Sequence, residues 1–339
     1  MRYPAPLRPG DVIGVTSPST GVSDALRPRL DFCVADLRSR GFEVEVGRCM
    51  DGTGATSAPA AERAAELTRM LTDPRVRAVV PPWGGELAID LLPLLDIDAI
   101  AQAEPTWLVG YSDISTLLLP LTLLTGIATL HGPPLMDTPF RVPAPLLHWL
   151  DVATAPAGAT VTQGPASHHQ KAWADFEAQP EVSEMVLTEP SRWRSLGGRE
   201  VGTLRGRLLG GCLETVSMLP GTPFGRIDGF HGSHDDGLLV YLEVAEVDAF
   251  AAARMLHHLR LAGWFDRATG VLLGRTSAPG SRVFSQLDAV QDALGMLEVP
   301  VLYDLDIGHV PPQLALVNGA IAEVSLAASG AGTIVQHLR

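Results

Sequence analysis

The sequence predicts an α/β protein built from two units. Three observations carry that expectation. At 339 residues the chain exceeds what one hydrophobic core usually serves. Its first third alternates short β-branched runs with segments of helical periodicity, the pattern of a parallel sheet wrapped by helices. Between Pro143 and Arg199 the composition shifts to Pro, Ala, Ser, His and Gln with sparse apolar periodicity. That shift divides the chain into a domain over 1–142, a connector over 143–202 and a domain over 203–339.

In chain order, a strand is expected over Val12–Ser17, stopped by Ser17-Pro18, then a helix over Asp24–Arg40 and a strand over Glu43–Val46. Ala60–Thr72 reads as an amphipathic helix, because Ala64, Leu67, Met70 and Leu71 recur at helical spacing while Glu62, Arg63, Glu66 and Arg69 take the other faces. Val76–Val80 and Thr106–Val109 read as strands, and Ile114–Leu124 as a helix. Ligands of open parallel sheets gather beyond the carboxyl ends of strands, so Ser17, Gly84-Gly85 and Ser112 should share one rim.

Trp149, Trp173 and Trp193 punctuate the connector, which indicates a segment packed on the body of the protein and not a free tether. Beyond it, Gly206 to Leu213 reads as the opening of a helix to Leu219. Leu238–Leu242 reads as a strand, Ala249–Ala262 as a helix, and Gly270–Leu273, Val301–Tyr303 and Ala320–Val324 as further strands.

Composition narrows the function. The formal net charge of −13 and the lack of any Lys/Arg run exclude a nucleic-acid-binding face. Cys33, Cys49 and Cys212 are too few and too scattered for a disulfide framework or a CxxC zinc site. The start, Met1 to Pro6, has no apolar signal region, and Ile114–Leu130 is interrupted by Pro120 and Gly126 before it reaches membrane-spanning length. A cytoplasmic protein with no membrane partner and no cofactor is the expectation. His231, His234 and Asp235-Asp236 form a Gly-flanked polar turn, and no metal is assigned to them.

Gly110-Tyr111-Ser112-Asp113 lies between the strand Thr106–Val109 and the helix Ile114–Leu124. A serine on such a turn has two readings: an ordinary helix cap, or a displayed nucleophile beside the N–H groups of a helix start. Serine chemistry needs a base and a carboxylate. Of ten histidines, His309 stands in a Gly/Pro-bounded turn, Asp306 to Pro311, after a strand-like run. His257 and His258 fall mid-helix, and His168-His169 lie in the connector. Glu243 ends the strand Leu238–Leu242, where it could point into a site or favour the next helix start. The order Ser, Glu, His also occurs in α/β-hydrolases, but their elbow carries a second glycine where this chain has Ile114.

Gly110-Tyr111-Ser112-Asp113, followed by a helix and Thr125-Gly126 to Gly132-Pro133, resembles the GYSD…TG…GP region of the LD-carboxypeptidase family of serine peptidases. Leu7-Arg8-Pro9-Gly10-Asp11, Ser17-Pro18-Ser19, Gly206 to Gly211, Gly221-Thr222-Pro223, Tyr241-Leu242-Glu243 and Ile307-Gly308-His309 extend the resemblance through nearly the whole chain. It implies a flavodoxin-like parallel sheet in the N-terminal domain, a smaller C-terminal α/β domain, and a site in the cleft between them. It also implies Ser112 as nucleophile, Glu243 as triad carboxylate and His309 as general base. Backbone N–H groups of Gly85 and Asp113 would form the oxyanion hole, and a homodimer is expected.

Murein-type members of the family read R-G-G-Y-G at the glycine loop, whereas this chain has Pro81-Pro82-Trp83-Gly84-Gly85-Glu86. The chain is more similar to the microcin C self-immunity branch, whose members cleave an amide between an acidic amino acid and a modified nucleotide and stack an aromatic residue on the base. Trp173 and Trp193 are the stacking candidates, with Trp83, Gly84 and Glu86 as walls of the substrate pocket. A clamp for an anionic group could come from Arg192, Arg194 and Arg199. A murein tetrapeptide carboxypeptidase releasing D-alanine and a non-catalytic ligand-binding protein remain the alternatives.

Overall fold

The short β-branched runs of the first third do pair as parallel strands. The computed structural model describes residues 1–227, 230 and 236–338, so His231, His234 and Asp235 lie outside the described residues. In order come β1 (Val12–Val15), α1 (Arg27–Ser39), β2 (Glu43–Val46), α2 (Ala60–Thr72), β3 (Val76–Val79), α3 (Ile97–Gln102), β4 (Trp107–Gly110), α4 (Ser115–Thr125) and β5 (Thr129–His131). These strands stand in the order β2-β1-β3-β4-β5 and are parallel throughout. This is the flavodoxin-like arrangement, whose switch point lies between β1 and β3.

The rest of the chain adds α5 (Trp149–Ala153), β6 (Thr160–Gln163), β7 (His168–Gln170), β8 (Leu187–Pro190), β9 (Arg194–Ser195), β10 (Val201–Cys212) and α6 (Leu213–Val216). It continues with β11 (Leu238–Glu243), α7 (Ala249–Leu261), β12 (Ala268–Gly274), α8 (Gln286–Leu294), β13 (Val301–Leu305), β14 (Leu316–Asn318), β15 (Ile321–Leu326) and β16 (Gly332–His337). An eight-stranded sheet runs β6-β16-β15-β10-β11-β12-β13-β9. Its centre, β10 to β13, is parallel, and its flanks are antiparallel.

Three features depart from the sequence expectations. Residues 206–212, expected to open a helix, complete β10, and only Leu213–Val216 is helical. The glycines there serve close packing: a Cβ on Gly210 would fall 1.7 Å from the Tyr241 carbonyl oxygen, and one on Gly206 within 3.0 Å of the backbone at Leu238-Leu239. The segment 143–202, expected to be a connector, supplies β6 and β9 to the edges of the second sheet. Finally β14, from the C-terminal region, pairs antiparallel with β5 and so extends the first sheet.

The two sheets are joined by a shared core. Leu117, Leu118 and Leu121 of α4 belong to one buried cluster with Leu213, Val216, Leu242 and Leu256. The backbone N–H of Cys212 donates to Ser115 Oγ at 3.0 Å, which ties the end of β10 to the start of α4. Asn318, fully buried on β14, accepts from Gly210 N–H at 3.2 Å and from the Tyr241 hydroxyl at 2.9 Å, and donates to Thr129 Oγ1 at 3.3 Å. One side chain thus bonds to β5, β10 and β11.

Candidate active site

Ser112 follows β4 at a turn too sharp for ordinary backbone. Its φ is +58°, one of two non-glycine residues among those described with positive φ, a conformation that costs on the order of 1–3 kcal/mol and persists only where neighbours enforce it. Gly110 allows the turn, because a Cβ there would meet the Ile114 side chain at 2.9 Å. Asp113 then locks it. Its Oδ2 accepts from Ser19 Oγ at 2.6 Å and from Ala88 N–H at 2.8 Å, and Ser19 Oγ accepts from Leu87 N–H at 3.1 Å. The loops leaving β1, β3 and β4 are therefore held as one rim.

Glu243 and His309 arrive from the second sheet, at the carboxyl ends of β11 and β13. The strand between them, β12, ends at Gly274, where a Cβ would stand 2.8 Å from Glu243 Cβ and 2.3 Å from the Ile307 carbonyl oxygen. Gly308, at φ +88°, leaves room for the carboxylate itself, since a Cβ there would meet Glu243 Oε2 at 2.3 Å. Asp306 anchors the same loop: it accepts from Trp193 Nε1 at 2.7 Å and pairs with Arg275 at 2.6 Å. Glu214 fixes the segment after Glu243 by accepting from the N–H groups of Ala245, Glu246 and Val247.

The result is a continuous line across the two sheets. His309 Nδ1 lies 2.8 Å from Glu243 Oε2, and His309 Nε2 lies 3.0 Å from Ser112 Oγ. The Tyr111 ring meets the imidazole edge-on at 4.8 Å. Burial by itself would raise the Glu243 carboxyl, which is 1% exposed, but the charge and hydrogen bond of His309 hold it below the usual range. Burial likewise opposes the imidazolium, yet the Glu243 charge and hydrogen bond leave His309 above its ordinary value. An ionised carboxylate only accepts, so Nδ1 carries the proton and Nε2 offers its lone pair to the serine hydroxyl. This arrangement can take a proton from Ser112 Oγ.

Gly84 and Gly85 close the other side. A Cβ on Gly84 would sit 3.0 Å from Asp113 N and 3.2 Å from Ser112 Oγ, and one on Gly85, at φ +141°, would sit 2.4 Å from Ser19 Oγ. Among the described residues, neither the Gly85 nor the Asp113 N–H donates to the chain. Around them opens a cleft of about 380 Å³, lined by Thr20, Trp83, Gly84, Gly85, Glu86, Tyr111, Ser112, Pro134, Met136, Asp137, Trp173, Phe176 and His309. Trp83 forms a wall, fixed by donation from Nε1 to the carbonyl oxygens of Thr20 and Gly21. Burial, followed by the nearby carboxylates of Glu246, Asp113 and Glu214, raises the Glu86 carboxyl. Trp173 stands 42% exposed at the rim.

Trp193 corrects the sequence expectation. It is 1% exposed, packs among Leu208, Leu239 and Leu272, and does not line the cleft. Its indole N–H donates to Asp306, and burial of the ring keeps it out of the cleft that holds Ser112. Arg192, Arg194 and Arg199 line a separate cavity of about 620 Å³. Among the described residues, no group of three His, Cys, Asp or Glu could hold a metal ion, and no helix is long and apolar enough to cross a membrane.

Asp113, Glu214, Asp306 and Asn318 were not singled out as positioning groups from sequence. Their bonds join residues distant in the chain, which spacing alone does not reveal. Asp137, in the helical turn that follows β5, lines the cleft and was not singled out from sequence either.

Comparison with known proteins places residues 13–132 in the LD-carboxypeptidase N-terminal domain model and residues 205–324 in the LD-carboxypeptidase C-terminal domain model. A Streptomyces coelicolor protein that carries a carboxypeptidase name is 30% identical, over 95% of this chain and 92% of its own. The Escherichia coli microcin C7 self-immunity protein MccF is 26% identical, over 93% of this chain and 90% of its own. Among solved structures, MccF in complex with aspartyl sulfamoyl adenosine superposes with a TM-score of 0.82 at 23% identity, covering 98% of each chain. An MccF-like protein from Bacillus anthracis gives 0.80 at 21% identity, covering 100% of each.

Proposed function

Because the chain belongs to the LD-carboxypeptidase family of serine peptidases, we propose that it hydrolyses a small aminoacyl amide through an acyl-enzyme on Ser112. The observation that carries this reading is the pair of contacts made by one imidazole, 3.0 Å to Ser112 Oγ and 2.8 Å to Glu243 Oε2.

His309 Nε2 takes the Ser112 proton as Oγ bonds to the substrate carbonyl carbon. Glu243 holds the imidazole in its tautomer and stabilises the imidazolium that forms. The carbonyl oxygen, now an oxyanion, is received by the N–H groups of Gly85 and Asp113, which need no reorganisation to donate. When the C–N bond breaks, His309 gives its Nε2 proton to the leaving nitrogen. A water then attacks the acyl carbon, His309 removes its proton, and Ser112 Oγ leaves with that proton as the acid product departs.

For the substrate we favour an amide linking an amino acid to a modified nucleotide. Trp173 at the cleft rim supports this as a surface on which a base can stack, and so does the likeness to MccF, whose structures hold aspartyl sulfamoyl adenosine and glutamyl sulfamoyl guanosine. The three buried thiols, Cys33, Cys49 and Cys212, fit a reducing cytoplasm, and the family resemblance supports a homodimer. The test is to incubate the protein with aspartyl sulfamoyl adenosine and, separately, with a murein tetrapeptide, and to analyse products by mass spectrometry. Release of aspartate is expected. Release of D-alanine alone would overturn the substrate, and stoichiometric uptake without product would overturn the enzyme.

A further inference from the structure

Among the described residues, two that are not glycine are held at positive φ: Ser112 and Asp304, the latter at +61°. Residues with a side chain avoid this left-handed region, Asp and Asn least, and it persists only where the surroundings impose it. Asp304 lies in β13, the strand that leads to His309, and no step of the mechanism above uses it.

The strand register shows what the conformation does. Between β12 and β13, Leu272 faces Leu302 and Gly274 faces Leu305, so Tyr303 and Asp304 together stand opposite the single residue Leu273. This is a β-bulge, and its extra residue shifts the in-and-out alternation of every side chain that follows. The packing records the shift. Val301 belongs to the buried cluster of Leu242 and Leu256, and Tyr303 packs against it, whereas Leu302 lies in the opposite cluster with Leu239 and Leu272. Regular alternation would return Leu305 to the face of Tyr303, yet Leu305 and Ile307 are fully buried in the cluster of Leu302. In this phase Asp306 reaches Trp193 and Arg275, and the chain enters the turn Gly308-His309 already anchored. The Asp304 carboxylate adds little: its ion pair with Arg194, at 3.4 Å, joins two partly exposed groups.

We propose that Asp304 is a positioning residue, whose left-handed backbone forms the β13 bulge that delivers His309 between Glu243 and Ser112. The use of His309 as a base rests on the hydrolase reading; its delivery by the bulge does not. The position requires a residue that accepts positive φ, so Gly and Asn should replace Asp304 and a β-branched residue should not.

The test compares Asp304→Gly, Asp304→Asn and Asp304→Val by turnover of aspartyl sulfamoyl adenosine and by NMR titration of the His309 ring. Burial lowers the proton affinity of that ring, but Glu243, followed by Glu214 and Asp137, leaves it above its ordinary value, so the titration reports whether His309 still faces Glu243. Asp304→Gly and Asp304→Asn should keep kcat within about threefold of the wild type and leave the His309 midpoint unmoved. Asp304→Val should lower kcat by about 10²-fold, the scale of a catalytic group displaced by roughly 1 Å, and move the midpoint down. Circular dichroism and urea unfolding establish that each variant is folded. If Asp304→Val does not fold, Asp304→Ala takes its place, since positive φ is disfavoured there too. A folded Val or Ala variant with wild-type kcat and midpoint would overturn the proposal, and so would lost activity in Asp304→Gly or Asp304→Asn. No product from the wild-type protein would instead overturn the hydrolase reading, with the His309 midpoints still deciding the role of Asp304.

Discussion

Glu243 is a carboxylate whose burial is offset chiefly by the His309 imidazole, with smaller help from His131 and Cys212, so Glu243 and His309 set each other's charge state. His309 must be neutral to accept the serine proton, and its proton affinity is raised. Activity should therefore rise with pH through an ionisation above 6.5. Replacing Glu243 by Gln removes the charge that raises His309, so the inflection in kcat/KM should move down, and kcat should fall by about 10³-fold or more as the tautomer is lost. Stopped-flow or steady-state pH profiles check both. Ser112, Glu243 and His309 were legible in the sequence because each follows a strand-like run and lies at a turn, and the family motifs then assigned their roles. Trp193 was not legible: a lone tryptophan in a polar segment looks the same whether it anchors the segment or faces a ligand, and only its burial beside Leu208, Leu239 and Leu272 separates the two.

The glycine loop acts as one piece because Asp113, Ser19 and Ala88 bind it to the turn that carries Ser112. A methyl group on Gly84 would stand 3.0 Å from the Ser112 Cβ, which is tighter than side chains pack. Gly84→Ala should therefore lower kcat by at least about 10²-fold, the scale of a lost oxyanion donor. Its urea midpoint should shift little, since the loop is at the surface of the cleft. A variant with wild-type kcat would remove the loop from the site. Among the other elements, β1 to β4 were readable from short strand-like runs, whereas β5 (Thr129–His131) was not singled out as a strand. β10 was not, because Gly206, Gly210 and Gly211 resemble a helix opening until the strand on which they lie is seen against Leu238–Glu243.

Across the whole molecule, the site exists only where two sheets meet, and β14 adds to the shared core that joins them. Asn318 bonds to β5, β10 and β11 at once, so Asn318→Ala leaves Gly210 N–H and the Tyr241 hydroxyl buried without a partner. The cost should be about 2–4 kcal/mol in urea unfolding, and kcat should fall with it as the serine and histidine loops lose register. An unchanged stability would contradict the joint. No local pattern announces a short strand that crosses from one unit to the sheet of the other, which is why this feature was absent from the sequence reading. The central claim is that Ser112 forms the covalent bond under the control of a base from the other sheet. It is tested most directly by treating the protein with a fluorophosphonate and mapping the adduct by mass spectrometry in the wild type and in His309→Ala. Modification of Ser112 alone, stoichiometric with loss of turnover and strongly slowed in His309→Ala, is the predicted result. Turnover that survives full modification, or in Ser112→Ala, would contradict it.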